Sequence, residues 1–399
     1  MLSAGCIAIK RQIRFVNVTT SAPAPEPDLR SEDILALVRE LVHHESPSRD
    51  AAASAALADD LAGRFEALGG TVERVASAAG THLVVHVAGI GDPLLLVGHT
   101  DTVWPVGTIE RELPWSHDGD IVRGPGTYDM KAGIVVVLGA LSRLRGIAPQ
   151  KRRAVRIVLV CDEEIGSPES TPHLREWARG TAGAIGFESP HPDGALKVGR
   201  RGSTRMRLSV HGREAHAALD PEKGISAVDE LVDQLLRVRQ ITSDPTLPGP
   251  VLCNVGRISG GSRTNVVPAD ASAEVGLRFT DRVTEERVLA ALTGLLPVRE
   301  GARLTAEVLS SRPAWVPSAA DATLLAQVTE AGARIRQQIT ARPAAGAGDT
   351  NLLGSLGIPT VDGFGPRGGG AHARDEHFRL SSLHERIDLL CALLTTPDL

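Results

Sequence analysis

Aromatic side chains make up only 3% of this chain, so any core must be built from Ala, Val, Leu and Ile. Cysteine is sparser still, with four residues. Cys6, Cys161, Cys253 and Cys391 lie far apart with no CxxC spacing, which argues against a disulfide framework or a structural zinc knuckle. Reduced core thiols fit a cytoplasmic location, which is therefore the expected one. No apolar run approaches the ~20 residues of a membrane span, so no membrane partner is expected. Charge of neither sign dominates: 43 basic residues stand against 48 acidic ones, for a net charge of -5. With no basic block, a nucleic-acid partner is not expected either.

What the chain does have is length. Its 399 residues are many for one domain and comfortable for two. The apolar start MLSAGCIAI is followed, not preceded, by Lys10, Arg11 and Arg14, the reverse of a signal peptide. Residues 1–29, ending in the loop-like SAPAPEPDL, read as a poorly ordered extension.

Ser31 is an N-cap candidate, and Ile34, Leu37, Val38, Leu41 and Val42 follow at helical spacing. A second helix is expected from Ala51 to Leu68. Strands are expected over Thr71–Val75, His82–Val87 and Leu94–Val97. A buried helix over Ala132–Leu144, a strand over Arg153–Val160 and a short strand over Gly183–Phe187 come next. This alternation predicts an α/β domain with a mostly parallel sheet flanked by helices. After residue 200 the pattern changes. Ser203–Val210, Val251–Ile258 and Ser272–Phe279 alternate polar with apolar, and helices are expected over Ile225–Arg239 and Thr284–Leu296. An inserted two-layer α+β domain, an antiparallel sheet with two helices, is predicted over 201–311. Residues 30–200 and 312–399 then form the first domain, with Ile358–Val361 as its last strand.

The chemistry centres on LLLVGHTDTV, Leu94 to Val103. A buried strand ends at Gly98, and the carboxyl ends of strands are where α/β sheets build sites. His99 and Asp101, two apart on extended backbone, point the same way. That suits an imidazole ligand whose tautomer is fixed by a carboxylate. Other polar residues stand at strand ends or helix starts: Asp129, Glu163, Glu164, Glu188 and His372. Zinc takes exactly such nitrogen and oxygen donors, and a pair of zinc ions is served by one bridging carboxylate with terminal ligands on each side. A spare glutamate beside a ligand could act as general base toward water. Glu163 and Glu164 are adjacent and cannot both point one way on extended backbone, so one should bind metal while the other faces the water. His377 is a rival for the role of His372.

The segments GHTDTVWPVG, GPGTYDMKAG, DEEIGS, FES, HGREAHAA, NVVPA and GGGAHARDEHF occur in the order found in one family. The chain resembles the M20 family of zinc peptidases and amidohydrolases, most closely its glutamate carboxypeptidase and acetylornithine deacetylase branches, from about residue 31 to the end. The resemblance implies two zinc ions per subunit, with Co2+ or Mn2+ able to substitute. It implies that His99 and Glu188 bind one ion, Glu164 and His372 the other, and that Asp129 bridges, with a cis bond to Met130. Asp101 would orient His99, and Glu163 would be the general base. The insertion would be a dimerisation domain whose His216 reaches the partner subunit's site in a homodimer. Asn265 and Arg278 would hold the substrate's carbonyl and α-carboxylate, with Arg312 as a further substrate-side arginine.

Where the glutamate-releasing relative carries a side-chain-reading lysine and threonine, this chain has Ala195 or Leu196, and Ala344; Lys197 lies beside the first position. Gly348-Asp349-Thr350-Asn351 resembles a loop of the deacetylase branch. The expected activity is zinc-dependent hydrolysis of an amide bond next to a free α-carboxylate, releasing an amino acid from N-acyl amino acids or short peptides. The alternatives are a glutamate carboxypeptidase acting on folate-like or peptidyl substrates, and a catalytically silent binding protein.

Overall fold

The structure, a computed structural model, describes residues 31–395. The extension expected over 1–29, and Cys6 within it, lie outside the described residues. Six strands form the main sheet in the order Thr71–Ala76, Thr81–Val87, Arg153–Val160, Ile90–His99, Gly183–Gly186, Thr360–Val361. The last four are mutually parallel and the first two add on antiparallel.

Alternation along the central strand sends its side chains into two cores. Leu94 and Leu96 pack on one face with the helices Ser31–His43, Ala51–Ala67, Ala132–Leu144 and Leu380–Leu394. Leu95 and Val97 pack on the other, with Leu174, Leu352 and Leu353. Each such fully buried leucine contributes about 1.5–3 kcal/mol of transfer free energy. The Ala132–Leu144 helix is buried nearly all round, Ser142 and Arg143 excepted, which is why its sequence is apolar on most sides. It sits close to the sheet: a Cβ on Gly133 would lie 2.3 Å from the Phe187 carbonyl oxygen.

The inserted part has its own sheet, ordered Val251–Gly260, Asp270–Phe279, Gly202–His211, Arg303–Arg312, and antiparallel throughout. Met206, Leu208 and Val210 point inward in alternation with Arg205, Arg207 and Ser209. They meet the helices Ala227–Thr242 and Arg282–Thr293 in a separate core. No helix among the described residues is long and apolar enough to cross a membrane.

Two expectations need correction. Ile358–Val361 is not the last strand: only Thr360–Val361 pairs, and Gly368–Gly369 and His377–Arg379 follow in a small sheet with Ile121–Arg123 and Ser116–Asp118. Those strands have two or three residues each, too few to show an alternation. Glu163 and Glu164 are not on extended backbone either. They open a 3-10 turn, Glu163–Ile165, closed by Gly166 at φ 98°.

Candidate metal centre and active site

His99 ends the central strand and is 1% exposed. A Cβ on Gly98, just before it, would lie 2.6 Å from Met130 Cε, so a side chain there would push the end of Met130 aside. His99 Nδ1 lies 2.9 Å from the Asp101 carbonyl oxygen and 3.5 Å from Asp101 Oδ1. Nδ1 is thereby set as the donor, and Nε2 is left to face outward. It lies 3.2 Å from both Asp129 Oδ1 and Glu188 Oε1. The Asp101 carboxylate mostly does something else. It accepts the Ser48 hydroxyl at 2.7 Å and the amides of Glu163 and Glu164 at 3.1 and 3.2 Å, which fixes the glutamate turn.

His372 arrives from the far end of the chain. It adopts φ 61°, just after Gly370 at φ 73°, in the tight turn that the glycine run permits. Its Nε2 lies 3.2 Å from Asp129 Oδ2 and 3.1 Å from Glu164 Oε2. Hydrogen bonds to Asp129 and Glu164 push its pKa up to about 10. His377 turns instead to the Asp375 carbonyl, at 2.8 Å. Asp129 follows Gly126 and is joined to Met130 by a cis peptide bond. Burial opposes its charge, but the two histidines hold its carboxyl well below the usual range. Burial likewise opposes charge on His99, yet its carboxylate partners raise its pKa.

These distances fit metal ions. Donors about 2.0–2.1 Å from a tetrahedral zinc lie about 3.3 Å from one another. The histidine–carboxylate contacts of 3.1–3.2 Å match that edge, and the two oxygens of Asp129 each face one histidine. Two overlapping triads, His99–Glu163–Glu188 and His99–Asp129–Glu164, also have donor atoms within 4.8 Å of one another.

Glu163 is 8% exposed, and burial pushes its pKa well up. Its Oε1 lies 2.7 Å from Arg312 Nη2, which also reaches the Glu163 carbonyl and, at 3.0 Å, Ser167 Oγ. The Ser167 hydroxyl donates to Asp349. Lys197 is half-buried; burial and Arg200 lower its pKa.

Three expected residues make their contacts within the inserted part. His216 is exposed, and its Nδ1 accepts the amides of Ala218 and Leu219 at 3.2 and 3.1 Å. Asn265 is exposed, and its backbone carbonyl accepts the Ala217 amide at 3.0 Å. Arg278 donates to the Leu277 carbonyl at 3.0 Å. Sequence reasoning missed Glu376 and Lys131, both buried; Glu376 accepts amides of the segment that carries Asp129, and Lys131 lies two residues after Asp129 in it. Lys131 donates to the His44 carbonyl at 2.8 Å. Only burial distinguishes them from solvated loop residues, and the sequence does not display it.

Half-buried carboxylates around one buried and one exposed imidazole, at the carboxyl end of a parallel sheet, form a candidate metal centre. The profile of Peptidase family M20/M25/M40 matches residues 95–396, and the chain belongs to that family of hydrolytic enzymes. The chain is 26% identical to carboxypeptidase G2 of Pseudomonas sp. (strain RS-16) over 373 residues, covering 90% of this chain and 88% of that protein. It is 28% identical to succinyl-diaminopimelate desuccinylase of Leptothrix cholodnii, covering 88% and 94%. Its fold matches the crystal structure of aminopeptidase PepT from Bacillus cereus, with a TM-score of 0.71 at 19% identity over 92% and 99% of the two chains. It also matches the YXEP protein of Bacillus subtilis, described as a dinuclear metal-binding peptidase, with a TM-score of 0.62 at 16% identity over 91% and 97%.

Proposed function

We propose that this chain is a two-metal hydrolase of an amide bond next to a free α-carboxylate, releasing an amino acid from an N-acyl amino acid or a short peptide. The observation that carries the proposal is Asp129. Its two oxygens face His99 and His372, and each histidine faces one further glutamate. In this reading His99 and Glu188 hold one metal, Glu164 and His372 the other, and Asp129 is shared. Zinc suits this donor set, and Co2+ or Mn2+ can use the same atoms. Two such ions, when bound, polarise the scissile carbonyl and bring the pKa of water toward neutrality.

The chain's own groups move the proton. Glu163 takes it from the attacking water and returns it to the leaving amine. Its raised pKa suits a group that must hold a proton between two steps. Asp101 sets the tautomer of His99 and the pose of the Glu163 turn together. In the proposed homodimer, His216 of one subunit polarises the scissile carbonyl in the other. Asn265 and Arg278 hold the substrate's carbonyl and carboxylate, for which an arginine fork is well shaped. The exposure of His216 and Asn265 is compatible with such a role.

The second reading, release of C-terminal glutamate from folate-like or peptidyl substrates, is favoured by the likeness to carboxypeptidase G2. Against it stand Ala195 and Leu196, apolar and buried where a glutamate-reading lysine is expected. A panel of N-acetyl, N-benzoyl and peptidyl derivatives of Glu, Met, Ala and Arg, assayed with metal-loaded protein by amine release, tests both. Turnover of varied or apolar residues supports the first reading. Strict preference for Glu supports the second. No turnover by protein holding two metals would sink both.

A further inference from the structure

Glu376 is fully buried, and its carboxylate accepts four N–H donors. Oε1 takes the amides of Tyr128 and Asp129 at 2.9 and 3.1 Å. Oε2 takes the Gly126 amide at 3.0 Å and the Trp104 indole N–H at 2.7 Å. A carboxylate offers about four lone-pair sites, so all are filled. The donors come from two separate segments: the loop that delivers Asp129, and the loop that follows Asp101. Glu376 itself is tied to the His372 turn, because its amide donates to Ala373 at 3.0 Å and the Ala373 amide donates to Gly370 at 2.8 Å. One carboxylate thus couples Asp129 and His372, which meet at 3.2 Å although they lie 243 positions apart.

We propose that Glu376 is a positioning residue that sets the spacing of Asp129 and His372, and so governs metal affinity at the Glu164–His372 position. The inference rests on the two-metal reading above. The His99–Glu188 position depends on Glu376 less: only Asp129 is shared, while His99 is held by its strand and by Asp101.

Glu376→Gln tests it. The amide is isosteric but offers one oxygen, so two N–H donors must face an NH2 whichever way it turns. Metal-free protein, wild type and variant, is titrated with Zn2+ by calorimetry. Two equivalents on the wild type are required by the two-metal reading, and their absence would defeat that reading rather than this one. With two on the wild type, the variant is expected to keep the first and to bind the second about 10–100-fold more weakly. Unchanged affinity for both, or equal weakening of both, would overturn the proposal. Should the variant fail to fold, amide exchange of metal-free wild type decides. Protection at Tyr128 and Asp129 without metal supports a loop held by Glu376, and exchange at the rate of an open loop would overturn it.

Discussion

Arg312 Nη2 lies 2.7 Å from Glu163 Oε1 and reaches the carbonyl oxygen of the same residue. The arginine ends a strand of the inserted sheet, whereas the glutamate opens a turn beside the metal-ligand candidates. Expected on the substrate side, Arg312 meets the proposed base directly. Its charge offsets part of the desolvation that burial imposes on Glu163. Replacing it by methionine should therefore lower kcat, by about 10–100-fold within the range of a lost acid–base contribution, and change KM little. Arg312→Lys should recover only part, because an ammonium cannot reproduce the fork. A rise in KM at constant kcat would return Arg312 to substrate binding.

Glu163→Gln should separate chemistry from assembly. The amide keeps the volume but cannot accept the proton from water. Turnover should fall by roughly 10²–10⁴-fold, the usual contribution of a general base. Both metal equivalents should remain in elemental analysis of the dialysed protein. A variant within a few-fold of wild type would remove Glu163 from the mechanism, and loss of an equivalent would make it a ligand, as its place in the His99–Glu163–Glu188 triad allows.

How much of this the sequence displayed depends on burial pattern. The Ala132–Leu144 helix and the Arg153–Val160 strand were legible to the residue, because long apolar runs leave no competing period. His99, Glu164 and Glu188 were legible as polar residues after apolar strands, Asp129 as one at a helix start and His372 as one after a glycine-rich turn, and the structure brings them together. The 3-10 turn at Glu163 was not, since Asp101, distant in sequence, fixes it by accepting two amides. Glu376 was invisible for a similar reason: its four donors lie 247 to 272 positions away.

The homodimer proposal makes a sharper demand than a mass measurement. His216→Ala and His99→Ala should each be inactive alone, the first for want of the carbonyl-polarising group and the second for want of a metal ligand. After subunit exchange, mixed dimers contain one site with neither defect. Activity should recover toward a quarter of wild type for random pairing at equal amounts, since half the dimers are mixed and half their sites are intact, as roughly additive, independent sites would give. No recovery, with exchange verified by a tagged subunit, would place the action of His216 within its own chain or remove it.

Behind the site, Asp362 and Arg200 form an ion pair at 2.9 Å, with side chains 0% and 4% exposed. Asp362 also accepts the Thr350 hydroxyl at 2.7 Å and the Gly363 amide at 2.6 Å. The pair therefore joins the end of the last parallel strand to the Leu196–Arg200 strand and to the loop that carries Asp349. Removing one partner strands the other charge in the interior, which typically costs about 3–5 kcal/mol. Arg200→Met should lose stability on that scale in urea denaturation, and Asp362→Asn should lose at least as much, because the Arg200 guanidinium stays charged and buried without its partner. A change under about 0.5 kcal/mol for Arg200→Met, the size expected of a surface substitution, would show that water reaches the pair and that the loop is held by its other contacts.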